Sequence, residues 1–181
     1  MSSRDTIIRS MHDLGLATWF GGSLMGAVGL NGAASAARDP QERLRLSSLG
    51  WKKWSPVAAA AIGTHAIGGA GLIVTNRERV RNQDGAGSNT AVKFALTVAA
   101  AGLTAYSGVL GGKVEQHAAE GAETATEPGA TSSKELASAQ KQLKLVQYAI
   151  PAITGVLLVM GAVQGEQQRP GEQLKKRFSR S

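Results

Sequence analysis

Apolar and small residues gather in four blocks, at about 14–37, 54–75, 91–112 and 145–165, and nearly every charge lies between them. Each block is roughly 20 residues long, the length an α-helix needs to cross ~30 Å of hydrocarbon at ~1.5 Å per residue. The first, second and fourth contain no Asp, Glu, Lys or Arg. The third holds only Lys93, close enough to its end for the ammonium group to snorkel to the interface. The pattern predicts an all-α fold: a bundle of four transmembrane helices forming one membrane domain over residues 1–181.

The flanks and connections refine this. Trp51 and Trp54 stand beside Lys52 and Lys53, an arrangement expected to anchor the second span at the head groups, and Tyr148 is expected to act similarly before the fourth. Pro151 falls in the first turns of that last block, where a missing N–H costs least. In the first connection, Arg38 to Lys53, the residues Leu44, Leu46, Leu49 and Trp51 predict a short surface-lying turn. The second, Asn76 to Thr90, carries Asp84-Gly85-Ala86-Gly87, a turn. The third, 113–133, reads as a disordered loop, because its Ala, Glu, Thr and Gly bury too little to offset chain entropy. Ser132 or Ser133 then caps a new helix, with Glu135 in its first turn, that runs into the fourth span. Residues 166–181 form a basic polar tail.

Composition changes the picture in three places. The mean hydropathy of −0.09 would suit a soluble protein, but it averages apolar blocks with charged connections. With 23 glycines and only 4% aromatic residues, a water-soluble core would bury little area, whereas membrane helices use small residues to approach closely. Cysteine is absent, which excludes disulfides, Cys-ligated metals and Cys nucleophiles. The net charge of +7 flanks apolar blocks, so the expected partners are membrane lipids with anionic head groups, not nucleic acid.

Four spans put both termini on one side, with 11 basic residues there against 9 on the other. The positive-inside rule therefore places the termini in the cytoplasm by a narrow margin. A second reading of the first block stays open. Arg4 and Arg9 ahead of it and Ala34-Ser35-Ala36 behind it also fit a cleaved signal peptide. The length of the block and its interrupting glycines favour a retained span.

Several patterns carry candidate chemistry. Small residues recur every four positions in Thr18-Gly22-Gly26, Ala60-Thr64-Gly68 and Ala100-Thr104-Gly108-Gly112, which predicts backbone-to-backbone helix packing at Gly22, Gly26, Gly68, Gly108 and Gly112. His65 lies near the middle of the second span. An imidazole there would ligate a metal or haem, relay protons, or hydrogen-bond a neighbouring helix. Met25 is expected at the depth of His65, where a thioether–imidazole pair would suit Cu(I). Helix arithmetic separates the three histidines: His12 at the entrance of span one, His65 ~16 Å deep at ~1.5 Å per residue, and His117 beyond the exit of span three. No two of them are expected to share an ion. Asn31 is expected to bridge helices. Gly-x-Ser-x-Gly, a Walker loop, His-Glu-x-x-His and paired intramembrane carboxylates are all missing from the sequence, so a non-enzymatic role is expected.

The run from His12 to Gly22 places a histidine seven residues ahead of Trp19, followed by Gly21-Gly22. This resembles the first span of the bacterial copper resistance D family and of related four-span membrane proteins. The resemblance implies a helical bundle in the bacterial cytoplasmic membrane, tied to copper or another small solute. Two functional expectations result. One is a non-enzymatic subunit that binds a membrane-protein partner or a second copy of the chain. The other is a small transporter or a metal- or haem-handling protein centred on His65.

Overall fold

The computed structural model describes residues 3–75, 77 and 86–166. Helix α1 (Ser3–Met25) passes through a π-helical turn (Gly26–Leu30) into α2 (Asn31–Ser35) without a break, since Met25, Leu30 and Asn31 all keep right-handed helical dihedrals. Helix α3 covers Pro40–Thr75, α4 Ala86–Gln116 and α5 Lys134–Glu166, with a short 3₁₀ turn at Ala118–Glu120. Among the described residues helix is the one regular secondary structure, beside a single isolated bridge between Ala122 and Pro128. Three helices are long and apolar enough to cross a membrane: Pro40–Thr75, Gly87–Gln116 and Lys134–Gly165. The expected tail and the turn at Asp84-Gly85 lie outside the described residues, apart from Glu166 of the tail.

The tightest packing joins α1 to α3, running antiparallel. A Cβ added to Gly15 would come 2.6 Å from both the Ala61 carbonyl oxygen and the His65 backbone nitrogen. A Cβ on Gly68 would overlap the backbone of His12. Farther along, Gly22 and Gly26 lie under the indole rings of Trp54 and Trp51. The two tryptophans thus fill glycine notches on α1, a packing role their lysine neighbours did not announce. The stripe expected on the third span is not used in this way: Gly108 and Gly112 on α4 face open space. The side of α4 that packs carries Ala100, Leu110 and Val114 instead.

The first connection is also shorter than its sequence suggested. Asp39 accepts a hydrogen bond from the Gln41 N–H at 2.8 Å, and Pro40 takes the first helical position, where no N–H is needed. Helix α3 therefore starts at Pro40 and absorbs Leu44 to Trp51. Leu44 is wholly buried, and no surface turn forms. Its 36 residues span about 54 Å, well beyond a ~30 Å hydrocarbon core. Helix α5 is similarly long, so Pro151 sits in its interior rather than in its first turns.

The polar ends of α3 and α5 carry the segment that composition had marked as disordered. Residues 117–133 are folded as a cap. The Ala122 N–H donates to the Pro40 carbonyl, and the Arg43 guanidinium donates to the carbonyls of Ala37, Ala122 and Glu123. Gln140 Nε2 reaches the carbonyls of Thr124, Ala125 and Glu127. Ala118 and Ala122 share a buried core with Leu44, Leu110, Val114 and Leu136, and Ala125 is buried as well. Long side chains from the helices thus satisfy loop backbone that short alanines leave bare. Among the described residues, Gly121 alone has positive φ (70°), and a Cβ there would press on Pro40.

Glu120 ties the cap to the start of α5. Its Oε2 accepts the Ser133 N–H at 2.6 Å, and its Oε1 meets His117 Nδ1 at 2.6 Å. Ser133 Oγ in turn caps α5 through the Leu136 N–H. The Ser133 N–H first, then His117, hold the Glu120 carboxyl below the ordinary carboxylate range.

Two outcomes are expected. Gly15→Ala and Gly68→Ala force backbone apart and should each lower stability in detergent by about 1–3 kcal/mol. Gly108→Ala and Gly112→Ala, in open space, should leave it unchanged or raise it by up to about 1 kcal/mol. Thermal melts of the four variants check this, and equal losses at all four would contradict the packing described. For Glu120 the folded-state pKa is depressed, so its contribution is complete above the unfolded value and is lost as pH falls through the folded one. The protection of amides 117–133, taken relative to the intrinsic exchange rate at each pH, should fall on acidification, and Glu120→Gln should lower it already at neutral pH.

Candidate functional site

Helices α1 and α3 each carry the same short pattern, His-x-x-Gly: His12 to Gly15, and His65 to Gly68. In the antiparallel pair the two copies meet reciprocally. The backbone of His65 lies on Gly15, and the backbone of His12 lies on Gly68. Each glycine removes the Cβ that would hold the opposing histidine away. The imidazoles therefore come together, with ring centroids 4.2 Å apart and planes tilted by 39°. The expectation that no two histidines share an ion rested on separating them by depth, and that separation does not hold for His12 and His65. That expectation counted depth from the ends of the apolar blocks. Helix α1 instead begins at Ser3 and carries His12 well inside the pair.

The hydrogen bonds settle the tautomers. His65 Nδ1 lies 3.0 Å from the His12 carbonyl oxygen, which only accepts, so Nδ1 bears the proton. His12 Nδ1 lies 2.8 Å from Asp13 Oδ1, and the carboxylate accepts in the same way. His65 Nε2 faces the Thr97 hydroxyl of α4 at 3.5 Å, the outer limit of a hydrogen bond. Trp19 presents an edge to His65 and donates its own N–H to Thr104 at 3.2 Å. His65 is only 4% exposed, whereas the His12 side chain reaches the surface.

Met25 does not join this group. Gly15 is the α1 residue beside His65, and Met25 lies ten positions on, about 15 Å along the axis. Its side chain is exposed, and its sulfur lies against Gly29 of its own helix. His117 pairs with Glu120 in the cap, away from the other two.

A second polar cluster sits nearer the cap. Asn31 Nδ2 donates to Gln147 Oε1 at 2.8 Å, while Asn31 Oδ1 accepts from Ser47 Oγ at 3.0 Å and Trp51 Nε1 at 2.9 Å. One amide thereby joins α2, α3 and α5. The π turn makes this possible, because its i→i+5 bonding, seen from Asn31 N to Gly26 O, stacks Asn31 above Gly26. In an unbroken α-helix, at ~100° per residue, those two positions would lie about 140° apart. Asn31 was expected to bridge helices. Its partners Ser47 and Gln147 were not foreseen, because the extra residue of the π turn shifts the helical phase.

Among the described residues, no group of three or more His, Cys, Asp or Glu is placed to hold a metal ion. The histidine pair is a two-imidazole site, with Asp13 behind one ring and a backbone carbonyl behind the other.

The Asn31 cluster is expected to matter for stability. Asn31→Leu strands Gln147, Ser47 and the Trp51 N–H and should cost about 1–3 kcal/mol. Ser47→Ala removes one of two donors to the same oxygen and should cost less. Chemical unfolding in detergent compares the two variants, and an Asn31→Leu protein as stable as the parent would contradict the role given to this amide.

No protein-family model matches the chain, and neither a curated protein nor a solved structure matches it.

Proposed function

We propose that the chain is a multi-pass membrane protein with four spans, the α1–π–α2 run crossing beside α3, α4 and α5. One observation carries this reading. The apolar stretches of α3, α4 and α5 are only 22%, 11% and 33% buried inside the protein, so most of their side chains face outward. Ile67, Ile73 and Val74 on α3, Phe94 and Val98 on α4, and Val156 and Val159 on α5 are all exposed. In water this would be an apolar surface far larger than soluble monomers carry. In hydrocarbon it is ordinary.

The first run supports a fourth crossing. It stays against α3 from Ile8, beside Gly71, to Asn31, beside Ser47, and so covers the same depth. Leu14, Leu24, Met25 and Val28 point away from the other helices. The starts of α1 and α4 and the ends of α3 and α5 then share one face, and the cap stands on the other. The positive-inside balance and the likeness of the first span to the copper resistance D family favour a bacterial cytoplasmic membrane with the termini inside.

In this reading the protein works by binding rather than catalysis, as an assembly subunit for another membrane protein or for copies of itself. The interior amides and hydroxyls at Asn31, Ser47, Thr104 and Gln147 are engaged in holding helices together. The outward-facing apolar helices and the folded cap are what the molecule offers to a partner.

The chain has no native cysteine, so single cysteines report cleanly on topology. Cysteines placed at Glu42, in the first turn of α3, and at Thr131, in the cap, should react with an impermeant maleimide from outside intact cells. Those at Ser3 and Ser88 should react only after the membrane is opened. Labelling of all four from outside would defeat the spanning model. On native gels of gently solubilised membranes the protein should run larger than a monomer, and a monomer alone would defeat the assembly role.

A further inference from the structure

The crossing of α1 and α3 sets two imidazoles with ring centroids 4.2 Å apart, His65 Nε2 facing the Thr97 hydroxyl and His12 Nε2 lying beside Gly69. Both Nδ1 atoms are committed, that of His65 to the His12 carbonyl and that of His12 to Asp13. In the neutral form each ring keeps its lone pair on Nε2. In zinc sites the ligating histidine commonly donates its other N–H to a carbonyl or carboxylate, which fixes ring orientation and raises basicity. Here both versions of that support occur side by side. The Nε2 edge of His12 lies over Gly69, one turn of α3 beyond His65, and Gly69 leaves the space open: even an added Cβ would stay 3.9 Å from Nε2.

We propose that His12 and His65 bind one late first-row divalent cation, of the Zn²⁺ class, through their two Nε2 atoms. Zinc–nitrogen bonds of ~2 Å at a tetrahedral angle set two ring centroids ~5 Å apart. The observed 4.2 Å lies within about 1 Å of that, a change that rotation about the side-chain bonds supplies. Two imidazoles leave the remaining positions to water or to an exchangeable ligand, the arrangement of an open site rather than a closed structural one. Access is through His12, whose side chain is 18% exposed. Asp13, hydrogen-bonded to His12 Nδ1, favours a cation beside it.

Titration of the detergent-purified, untagged chain with Co²⁺ tests this, because a bound cobalt ion gives a visible ligand-field band and Zn²⁺ should abolish it by displacement. Wild type and His117→Gln should both saturate at one ion per chain. His12→Gln removes one Nε2 donor. His65→Asn removes the other while its Nδ2–H still reaches the His12 carbonyl. Each of these two should weaken binding at least about tenfold with an unchanged elution profile. Should His65→Asn fail to elute as wild type does, His12→Gln decides alone, since its ring lies at the edge of the crossing. Absence of saturable binding in wild type, or binding that survives His12→Gln, overturns the proposal.

Discussion

The close approach of α1 and α3 at two glycines is the constraint on which the rest depends. Helices with side chains at the contact sit 8–10 Å apart, but at Gly15 and Gly68 backbone meets backbone. Such an approach admits one register. Once Gly15 lies on His65 and Gly68 on His12, the next notches at Gly22 and Gly26 fall under Trp54 and Trp51. The Trp51 N–H then reaches Asn31, and through it Gln147 of α5. Under the proposed membrane reading, helices gain no hydrophobic drive from one another, so shape fit and buried hydrogen bonds would hold them together. This protein uses shape near the histidines and hydrogen bonds near the cap.

Much of this architecture was legible in the residue pattern. The alternation of apolar blocks and charged connections gave the helices and their apolar character, and Ser133 announced the start of α5. The glycine stripes at Gly22, Gly26 and Gly68 marked real contact faces, yet the same spacing at Gly108 and Gly112 marked nothing inside the protein. Spacing identifies a smooth face but not what lies opposite. The tryptophans show the same limit. An indole beside lysines suits an interface, and only the facing glycines show that it fills a notch.

The cap and the histidine pair were harder to read. Residues 117–133 have a composition that cannot bury itself, and their order comes from outside, through Arg43 and Gln140 on helices distant in sequence. The pairing of His12 with His65 had a visible signal, the His-x-x-Gly pattern repeated on two antiparallel helices. Depth arithmetic hid it, because apolar blocks do not mark helix ends. Helix α1 starts well before its block, and α3 starts at Pro40, before its own.

Helices α3 and α5 each run unbroken from the cap into the apolar region. On α3 the same rod carries Arg43, which grips the cap, and His65, which meets His12. On α5 the same rod carries Gln140, under the cap, and Gln147, in the Asn31 cluster. Mechanically these are levers, α3 with one interior proline, Pro56, between handle and tip, and α5 with none between Gln140 and Gln147. A tilt imposed on the cap by anything that grasps it would travel along α5 to the Asn31 cluster and along α3 to the crossing where two glycines allow no slack.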